Sequence, residues 1–421
     1  MNKVIGLRCR ECGEIYPKRL IHACSLCFGP LDVAYDYDAI AGALSREAIG
    51  RGPPTIWRYR DLLPVEDGGS IVDIGAGLTP LLRADNLARE LGLNEVYVKN
   101  DSVNPTFSFK DRPSSVAVSK AIEFGSPAVG AASTGNLAGA IAAHAARARL
   151  PCFIFIPEGL EVSKVVQTLA YGAHIIEVAG TYDQANRLAT EIALTSNIAF
   201  ANINVRPYYV EGSKTLVFEI CEQLGWRAPE HIIVPVASGA LLHASLRGLK
   251  ELEEVGLIDD WSTRISAAQA AGCSPVVQAI QKGTTEIIPV EKPNTLCKSL
   301  AIGDPADGYY AIQAVRSTGG TGRAPSNEEI LNGIKLLART EGVFTEPAGG
   351  AVVAALKRLV EEGEVERDEQ IVLYITGNGL KTQESLVPSL IKPFRIGPTI
   401  EDFRKLLINL QTPGVKWLEG V

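Results

Sequence analysis

The stretch NPTFSFKDR, residues 104–112, stands between a short apolar run and a long helical pattern. Residues 95–99 before it read as a strand, and residues 112–124 after it have the apolar periodicity of a helix. Pro105 fixes the turn between them, and Lys110 opens the helix. This strand, turn and helix predict an α/β fold in which parallel strands alternate with crossover helices.

The same alternation continues in both directions along the chain. Further strands are predicted at residues 128–132, 152–156, 174–178, 232–236, 265–269 and 371–375. Further helices are predicted at residues 86–91, 136–149, 161–171 and 400–410, the last with Thr399 as its cap. The pattern favours open parallel sheets covered by helices.

Composition excludes several classes of protein. The 421 residues include 41 Lys and Arg against 48 Asp and Glu, a net charge of −7, which argues against a dedicated nucleic-acid binder. With 46% apolar and 21% charged residues, the chain can bury a large core. It contains no uncharged apolar stretch long enough for a transmembrane helix, and the start MNKVIGLRCREC lacks the apolar core of a secretory signal. We therefore expect a cytoplasmic protein without nucleic-acid or membrane partners.

Half of the eight cysteines form two CxxC pairs near the N-terminus. Cys9 and Cys12 make the first pair and Cys24 and Cys27 the second, so two facing turns can supply a tetrahedral zinc site. The alternative is four reduced thiols in a docked hairpin. Acidic and basic residues balance across residues 1–40, which favours a structural zinc ribbon over a nucleic-acid reader. The remaining cysteines are predicted to be buried thiols in a reducing compartment: Cys152, Cys221, Cys273 and Cys297.

Lys110 is the first candidate for chemistry. The positive end of a helix dipole disfavours a cation, so a neutral and nucleophilic amine is easier to reach there. A neutral amine is what a covalent bond to an aldehyde cofactor requires. Taken alone, Lys110 fits a solvated surface lysine better.

Three further turns follow predicted strands, where ligands bind in open α/β sheets. Residues 132–136, ASTGN, offer hydroxyls and an amide for an anion, or a simple helix cap. Residues 235–242, PVASGALL, have only small side chains next to the turn, so backbone N–H groups could approach a phosphate. Residues 376–379, TGNG, follow an apolar strand and could equally form an ordinary turn.

Together these segments resemble the pyridoxal-phosphate enzymes of the tryptophan-synthase β-like group, known as fold type II. Within that group they are similar to the threonine synthase family. NPTFSFKDR looks like the lysine motif of that family, ASTGN like its carboxylate loop and GNGL like its pyridine-side loop. Residues 211–226, with EGSKT and QLGW, match a further stretch. The resemblance extends from about residue 78 to residue 383.

The resemblance implies a set of residues around pyridoxal 5′-phosphate. Lys110 would hold the cofactor covalently and move protons, with Phe109 beside the ring. Asn136 would bond the 3′ oxygen, and Thr376 would face the pyridine nitrogen. A hydroxyl at that nitrogen suits elimination and replacement better than transamination. The cofactor phosphate would lie on the loop formed by Ala237, Ser238, Gly239, Ala240 and Leu241.

The resemblance also implies the substrate and reaction. Ser133 and Thr134 would hold a substrate carboxylate, and Arg206 and Lys214 are the candidates for a substrate phosphate. The family converts O-phospho-L-homoserine and water to L-threonine and phosphate by γ-elimination and β-addition, and a homodimer is expected. Related alternatives are a threonine or serine dehydratase and a cysteate-synthase-like enzyme. A zinc-ribbon adaptor without catalysis is the alternative from another class.

The chain departs from the family pattern at several positions. Phe107 stands where relatives often carry Gly, Pro113 replaces another common Gly, and Tyr209 stands where many carry Arg. The resemblance implies a large cofactor-binding domain from residues 41–120 and 203–390. A small domain, residues 121–202, would close over the substrate. Residues 1–40 would form the ribbon-like segment and residues 391–421 a helical tail.

Overall fold

A computed structural model describes residues 3–159, 165–390 and 393–410. The chain divides into two compact units, residues 1–383 and residues 384–421. The main element of the second unit is the predicted helix Ile400–Leu410, whose Asp402 N–H donates to Thr399 Oγ1 at 3.1 Å. The predicted helix at 161–171 lies partly outside the described residues, and its visible part is Val166–Ala170.

The strands belong to three sheets, all in the first unit. In chain order they are β1 (Val4–Cys9), β2 (Ile15–Tyr16), β3 (Leu31–Tyr35), β4 (Leu81–Arg83), β5 (Glu95–Asn100), β6 (Val129–Ala132), β7 (Cys152–Pro157), β8 (His174–Val178), β9 (Ala199–Phe200), β10 (His231–Pro235), β11 (Arg264–Ala268), β12 (Gly322–Arg323) and β13 (Gln370–Ile375). Every strand predicted from the sequence is present within one residue at each end. The strands that were missed have two to six residues, and most are too short to show a period.

The largest sheet has six strands in the order β12-β11-β10-β13-β5-β4. Its strands are parallel except β4, which runs antiparallel to β5 at the edge. The parallel sheet predicted from the sequence is present, and β4 adds one antiparallel strand at its edge. In the centre, Ile232 lies opposite both Ile265 and Val372, and all three are fully buried. Such a continuous apolar run is typical of a strand covered on both faces.

The second α/β sheet is wholly parallel, with the order β8-β7-β6-β9. The small N-terminal sheet is antiparallel, with the order β2-β1-β3. Leu7 and Val33 lie opposite each other in it and belong to the same hydrophobic core as Leu216 and Ile232. The N-terminal segment therefore shares a hydrophobic core with the rest of the first unit and does not stand apart from it.

The described residues contain sixteen α-helices, and those of the first unit cover the sheets. In chain order they are α1 (Tyr37–Ala41), α2 (Arg46–Gly50), α3 (Asp85–Leu91), α4 (Asp111–Glu123), α5 (Asn136–Ala148), α6 (Val166–Ala170), α7 (Tyr182–Thr195), α8 (Arg206–Tyr209), α9 (Glu211–Gln223), α10 (Ala240–Glu254), α11 (Pro275–Gln281), α12 (Gly308–Ser317), α13 (Asn327–Glu341), α14 (Pro347–Glu361), α15 (Gln383–Leu386) and α16 (Ile400–Leu410). Helix α4 is buried without a break from Asp111 to Ala121, because other elements cover it on all sides. Among the residues that the structure describes, no helix is both long and apolar enough to cross a bilayer.

A buried network of charges holds α4 to its surroundings. Arg112 donates to Asp101 at 2.6 and 2.8 Å and to Glu219 at 2.5 and 2.7 Å. Lys99 Nζ donates to the same Glu219 at 2.6 Å, and the side chains in these ion pairs are fully buried. Glu219 also accepts the Leu78 N–H at 2.6 Å. The Arg of the lysine motif therefore fixes the turn that presents Lys110.

Candidate active site

Three of the four turns singled out from the sequence follow strands that run side by side, whereas ASTGN follows β6 of the other sheet. Strand β13 is parallel to both β5 and β10, so the segments after these three strands leave the same edge of the sheet. The Phe109 N–H donates to the Thr376 carbonyl at 2.9 Å, and Ser108 pairs with Gly377. The lysine motif and the TGNG turn are thereby joined directly.

Lys110 occupies the residue before α4 and is half-buried. Its Nζ lies 4.8 Å from the centroid of the Phe109 ring and 5.6 Å from that of the Tyr209 ring. The amine is therefore flanked by two aromatic faces, and the surroundings are not those of a fully solvated lysine. Tyr209 was noted in the sequence only as a departure, whereas the structure places it beside the predicted nucleophile.

Two buried hydroxyl groups next to Lys110 have no hydrogen-bond partner within the described part of the chain. They are Tyr209 Oη and Ser108 Oγ. Buried polar groups are normally bonded, so unpaired ones beside a nucleophile indicate that a ligand supplies the missing partner. The unpaired hydroxyl groups of Tyr209 and Ser108 therefore fit a polar cofactor or substrate beside Lys110.

Asn136 is the first residue of α5 and reaches across to Glu346. Its Nδ2 donates to the two carboxylate oxygens at 3.1 and 3.3 Å. Burial raises the pKa of Glu346, while the bond from Asn136 and the charges of Lys381 and Lys110 oppose that rise. Glu346 was missed in the sequence. Its signal was a carboxylate directly before Pro347, at the start of the small-residue helix α14.

Ser133 and Thr134 lie on the same turn as Asn136 and are half-buried. The alternative interpretation of ASTGN, a hydroxyl capping α5, is wrong. The cap residue is Gly135, and no side chain accepts a hydrogen bond from the helix start there. Ser133 instead uses its Oγ to accept the Gly135 N–H at 3.4 Å. The hydroxyls thus stay on the loop that the resemblance assigns to a carboxylate.

The loop of residues 237–241 leads from β10 into the 15-residue helix α10. Gly239 adopts φ +96°, and a Cβ there would lie 2.6 Å from the Asp307 carbonyl oxygen, so only glycine fits. No described side chain caps α10. The N–H groups of a helix start attract phosphate, so this loop fits the phosphate of pyridoxal phosphate.

The two candidates for a substrate phosphate have different surroundings. Arg206 is 24% exposed and donates to Asp307, whose N–H donates to the Ser238 carbonyl at 2.8 Å. It therefore lies beside the 237–241 loop. Lys214 is fully buried and paired with Glu211 at 2.5 Å and Glu251 at 2.6 Å. The assignment of Lys214 is corrected, because two carboxylates already occupy its ammonium group in the interior.

The four N-terminal cysteines form one cluster. Cys9 and Cys27 Sγ are 3.4 Å apart, Cys12 and Cys24 Sγ are 3.6 Å apart, and all four atoms lie within 4.8 Å of one another. Four thiolates around zinc at about 2.3 Å would be separated by about 3.8 Å. The cluster has the size of a tetrahedral zinc site. The other cysteines are buried and free, as predicted.

Residues 72–377 match the family model described as pyridoxal-phosphate dependent enzyme, so the chain belongs to that family. It is 40% identical over 405 residues to the threonine synthase of Methanocaldococcus jannaschii, covering 96% of this chain and 99% of that protein. It is 38% identical over 405 residues to the threonine synthase of Methanosarcina acetivorans, covering 96% and 98%. Within the family, the chain therefore belongs to the threonine synthases.

Solved structures give the same fold at lower identity. The processed form of threonine deaminase isoform 2 from Solanum lycopersicum matches with a TM-score of 0.63 and 19% identity, covering 90% of this chain and 99% of that one. Maize serine racemase matches with a TM-score of 0.59 and 21% identity, covering 79% and 94%. These matches confirm the fold-type II architecture.

Proposed function

We propose that the protein converts O-phospho-L-homoserine and water to L-threonine and phosphate, with pyridoxal phosphate on Lys110. The observation that carries the proposal is the position of Lys110. Its amine lies between two aromatic rings on the turn joined to Thr376, in a chain that matches threonine synthases along 96% of its length. The unpaired hydroxyls of Tyr209 and Ser108 support a ligand at the same place.

Bound pyridoxal phosphate would supply an electron sink for charge that develops on the amino acid. Ser133 and Thr134 would orient the substrate by its carboxylate, and Asn136 would bond the 3′ oxygen of the cofactor. Thr376 would offer a neutral hydroxyl to the pyridine nitrogen, which suits elimination and addition better than transamination.

The Lys110 amine takes the proton from the α carbon, gives it up, and then takes one from the β carbon. Phosphate leaves the γ carbon towards Arg206 with the electrons of the C–O bond, and the γ carbon then takes up a proton. Water adds its oxygen to the β carbon and loses a proton, and the α carbon regains a proton before threonine leaves.

Two measurements test this proposal. Borohydride reduction of the purified protein followed by peptide mass mapping is expected to give a pyridoxyl adduct on Lys110. Incubation with O-phosphohomoserine is expected to release phosphate and threonine in equal amounts. An adduct on another lysine, or a protein with bound cofactor that leaves this substrate unchanged, would contradict the proposal.

A serine or threonine dehydratase is the second candidate. A dehydratase substrate carries no phosphate, so the pairing of Arg206 with Asp307 is compatible with that activity as well. A dehydratase releases ammonia and a keto acid from its substrate, whereas a threonine synthase releases phosphate. Parallel ammonia and phosphate assays therefore separate the two activities.

We also propose that the cluster Cys9, Cys12, Cys24 and Cys27 holds one structural zinc ion. The support is the spacing of the four sulfur atoms together with the small size of the sheet that they adjoin. Metal analysis is expected to give one zinc per chain, and Cys24→Ser to lower that content. A metal-free preparation with full stability would contradict the zinc proposal.

The buried free thiols further support a cytoplasmic location, and a homodimer remains the family expectation.

A further inference from the structure

Arg10 lies inside the first CxxC turn, yet its guanidinium group reaches out of the N-terminal sheet. Nη2 donates to Asp32 of β3 at 2.7 Å, and Nη1 donates to Asp307 Oδ1 at 3.0 Å. The side chains of Arg10 and Asp307 are 8% and 1% exposed. Because the contact is buried, its geometry is more sharply defined than that of a surface ion pair.

Asp307 connects this contact to the proposed active site. Its second oxygen, Oδ2, accepts a hydrogen bond from Arg206. Its N–H donates to the Ser238 carbonyl at 2.8 Å, and its own carbonyl packs against Gly239. One residue thus contacts both the candidate for the substrate phosphate and the loop for the cofactor phosphate.

The first CxxC turn also contacts helix α12. The Tyr310 hydroxyl of α12 donates to the Glu11 carboxylate, and the Arg10 guanidinium carbon lies 4.7 Å from the centroid of the Tyr310 ring. Helix α12 begins directly after Asp307. The turn therefore holds both Asp307 and the first turn of the helix that follows it.

We propose that Arg10 is a positioning residue for the phosphate end of the active site, an inference that rests on the proposed function. Acting through Asp307, it orients Arg206 towards the substrate phosphate and holds the Ser238–Gly239 turn. Asp307 divides its two oxygens between two guanidinium groups, so its charge does not neutralise Arg206 alone. The ribbon-like segment of residues 1–40 therefore contributes to the geometry of the active site.

The test compares Arg10→Met with Arg8→Met. Arg8 is exposed, stands two residues away and carries the same charge, so its replacement controls for the loss of net charge. Arg10→Met is expected to raise KM for O-phosphohomoserine roughly tenfold and the Kd for pyridoxal phosphate roughly threefold, with kcat changed less than either. Arg10→Lys keeps the charge but only part of the geometry, and is expected to fall between Arg10→Met and the wild type. Equal KM and Kd values for the Arg10→Met and Arg8→Met proteins would overturn the proposal.

A double-mutant cycle tests whether Arg10 acts through Asp307. The double variant Arg10→Met/Asp307→Asn is expected to have the same KM as Asp307→Asn alone, whereas independent effects would multiply and overturn the proposal. Zinc content and thermal midpoint are measured on each variant. If Arg10→Met does not fold, Arg10→Lys and Asp307→Asn carry the comparison. If the wild-type protein releases no phosphate, the proposed function fails, while titration of the same variants with pyridoxal phosphate still tests Arg10.

Discussion

At the scale of single residues, two neighbouring tyrosines of α8 have opposite surroundings. The Tyr208 hydroxyl accepts the Arg19 N–H at 3.0 Å and donates to the Arg19 carbonyl at 3.2 Å. The Tyr209 hydroxyl is buried beside Lys110 and finds no partner among residues 3–159, 165–390 and 393–410. The Tyr208 hydroxyl therefore stabilises the fold, whereas the Tyr209 hydroxyl is available to a ligand.

This contrast gives a matched pair of variants. Tyr209→Phe is expected to lower kcat/KM about ten- to a hundredfold, because a hydrogen bond to a charged ligand contributes about 1.5 to 3 kcal/mol, and to leave stability unchanged. Tyr208→Phe is expected to lower stability by about 1 kcal/mol and to leave the kinetics unchanged. Steady-state kinetics and urea unfolding of both variants check the prediction. The same loss of activity in both would show that the two hydroxyls do not differ in role.

Glu346 gives a prediction about pH. Burial raises the pKa of its carboxyl group, so protonation begins at a higher pH than for an exposed glutamate. Protonation removes the charge that faces Lys110, Lys381 and Asn136. We expect kcat/KM to fall on the acid side, and Glu346→Gln to lose that acid limb and to be less active at neutral pH. The matched control, Glu361→Gln at the exposed end of α14, should keep the wild-type profile.

Glu346→Gln should not lower the free energy of unfolding. A raised pKa means that the folded state holds its proton over a pH range where the unfolded chain has lost it. Ionisation of Glu346 therefore costs the folded protein stability as pH rises through that range. Glu346→Gln avoids this cost and should unfold at the same or a higher urea concentration at pH 7. A marked loss of stability would show instead that Glu346 stabilises the fold.

At the scale of elements, the lysine turn depends on the buried charges beneath α4. Arg112 and Lys99 hold the pKa of Glu219 down to about 2, against the effect of its burial. Glu219→Gln leaves these cations with one carboxylate fewer, and should lower the free energy of unfolding by about 3 to 5 kcal/mol. The control Glu90→Gln removes an exposed partner of Arg339 and should cost at most about 1 kcal/mol. Urea unfolding at pH 7 measures both, and equal effects would contradict the prediction.

The pH dependence of Glu219 has the opposite sign to that of Glu346. Its folded pKa lies below the usual 4.5, so its contribution to stability is complete above that pH. The contribution is lost as pH falls from about 4.5 to about 2. The free energy of unfolding of the wild-type protein should therefore fall more steeply with falling pH in this window than that of Glu219→Gln.

At the scale of the whole molecule, the four-stranded sheet has a partly separate core. Phe155, Phe200 and Ile203 cluster there with residues of α7, apart from the main core. The small domain of residues 121–202 and its closure remain predictions. We expect a substrate analogue that carries a phosphonate to reduce the radius of gyration in small-angle scattering, whereas L-alanine should not. Unchanged scattering with the bound analogue would contradict closure.

The sequence predicted the α/β class, the order of the main strands, the paired CxxC turns and the turn that carries Lys110. These features depend on local periodicity and on residues close in the chain, so one stretch of sequence contains the information. The sequence could not distinguish Lys214 from Arg206, since both are cations in one segment. It also did not show that Tyr209 faces Lys110.

Tertiary structure alone decided which groups meet across long stretches of chain. Glu346 reaches Asn136 from 210 residues away, and Arg10 reaches Asp307 from 297 residues away. Lys214 was excluded from the site because Glu251, from another helix, occupies its ammonium group. Burial and charge pairing are set by the neighbours that packing supplies, and a linear pattern does not specify those neighbours. The physical reason is that secondary structure follows from local spacing, whereas a site is assembled by contacts between distant segments.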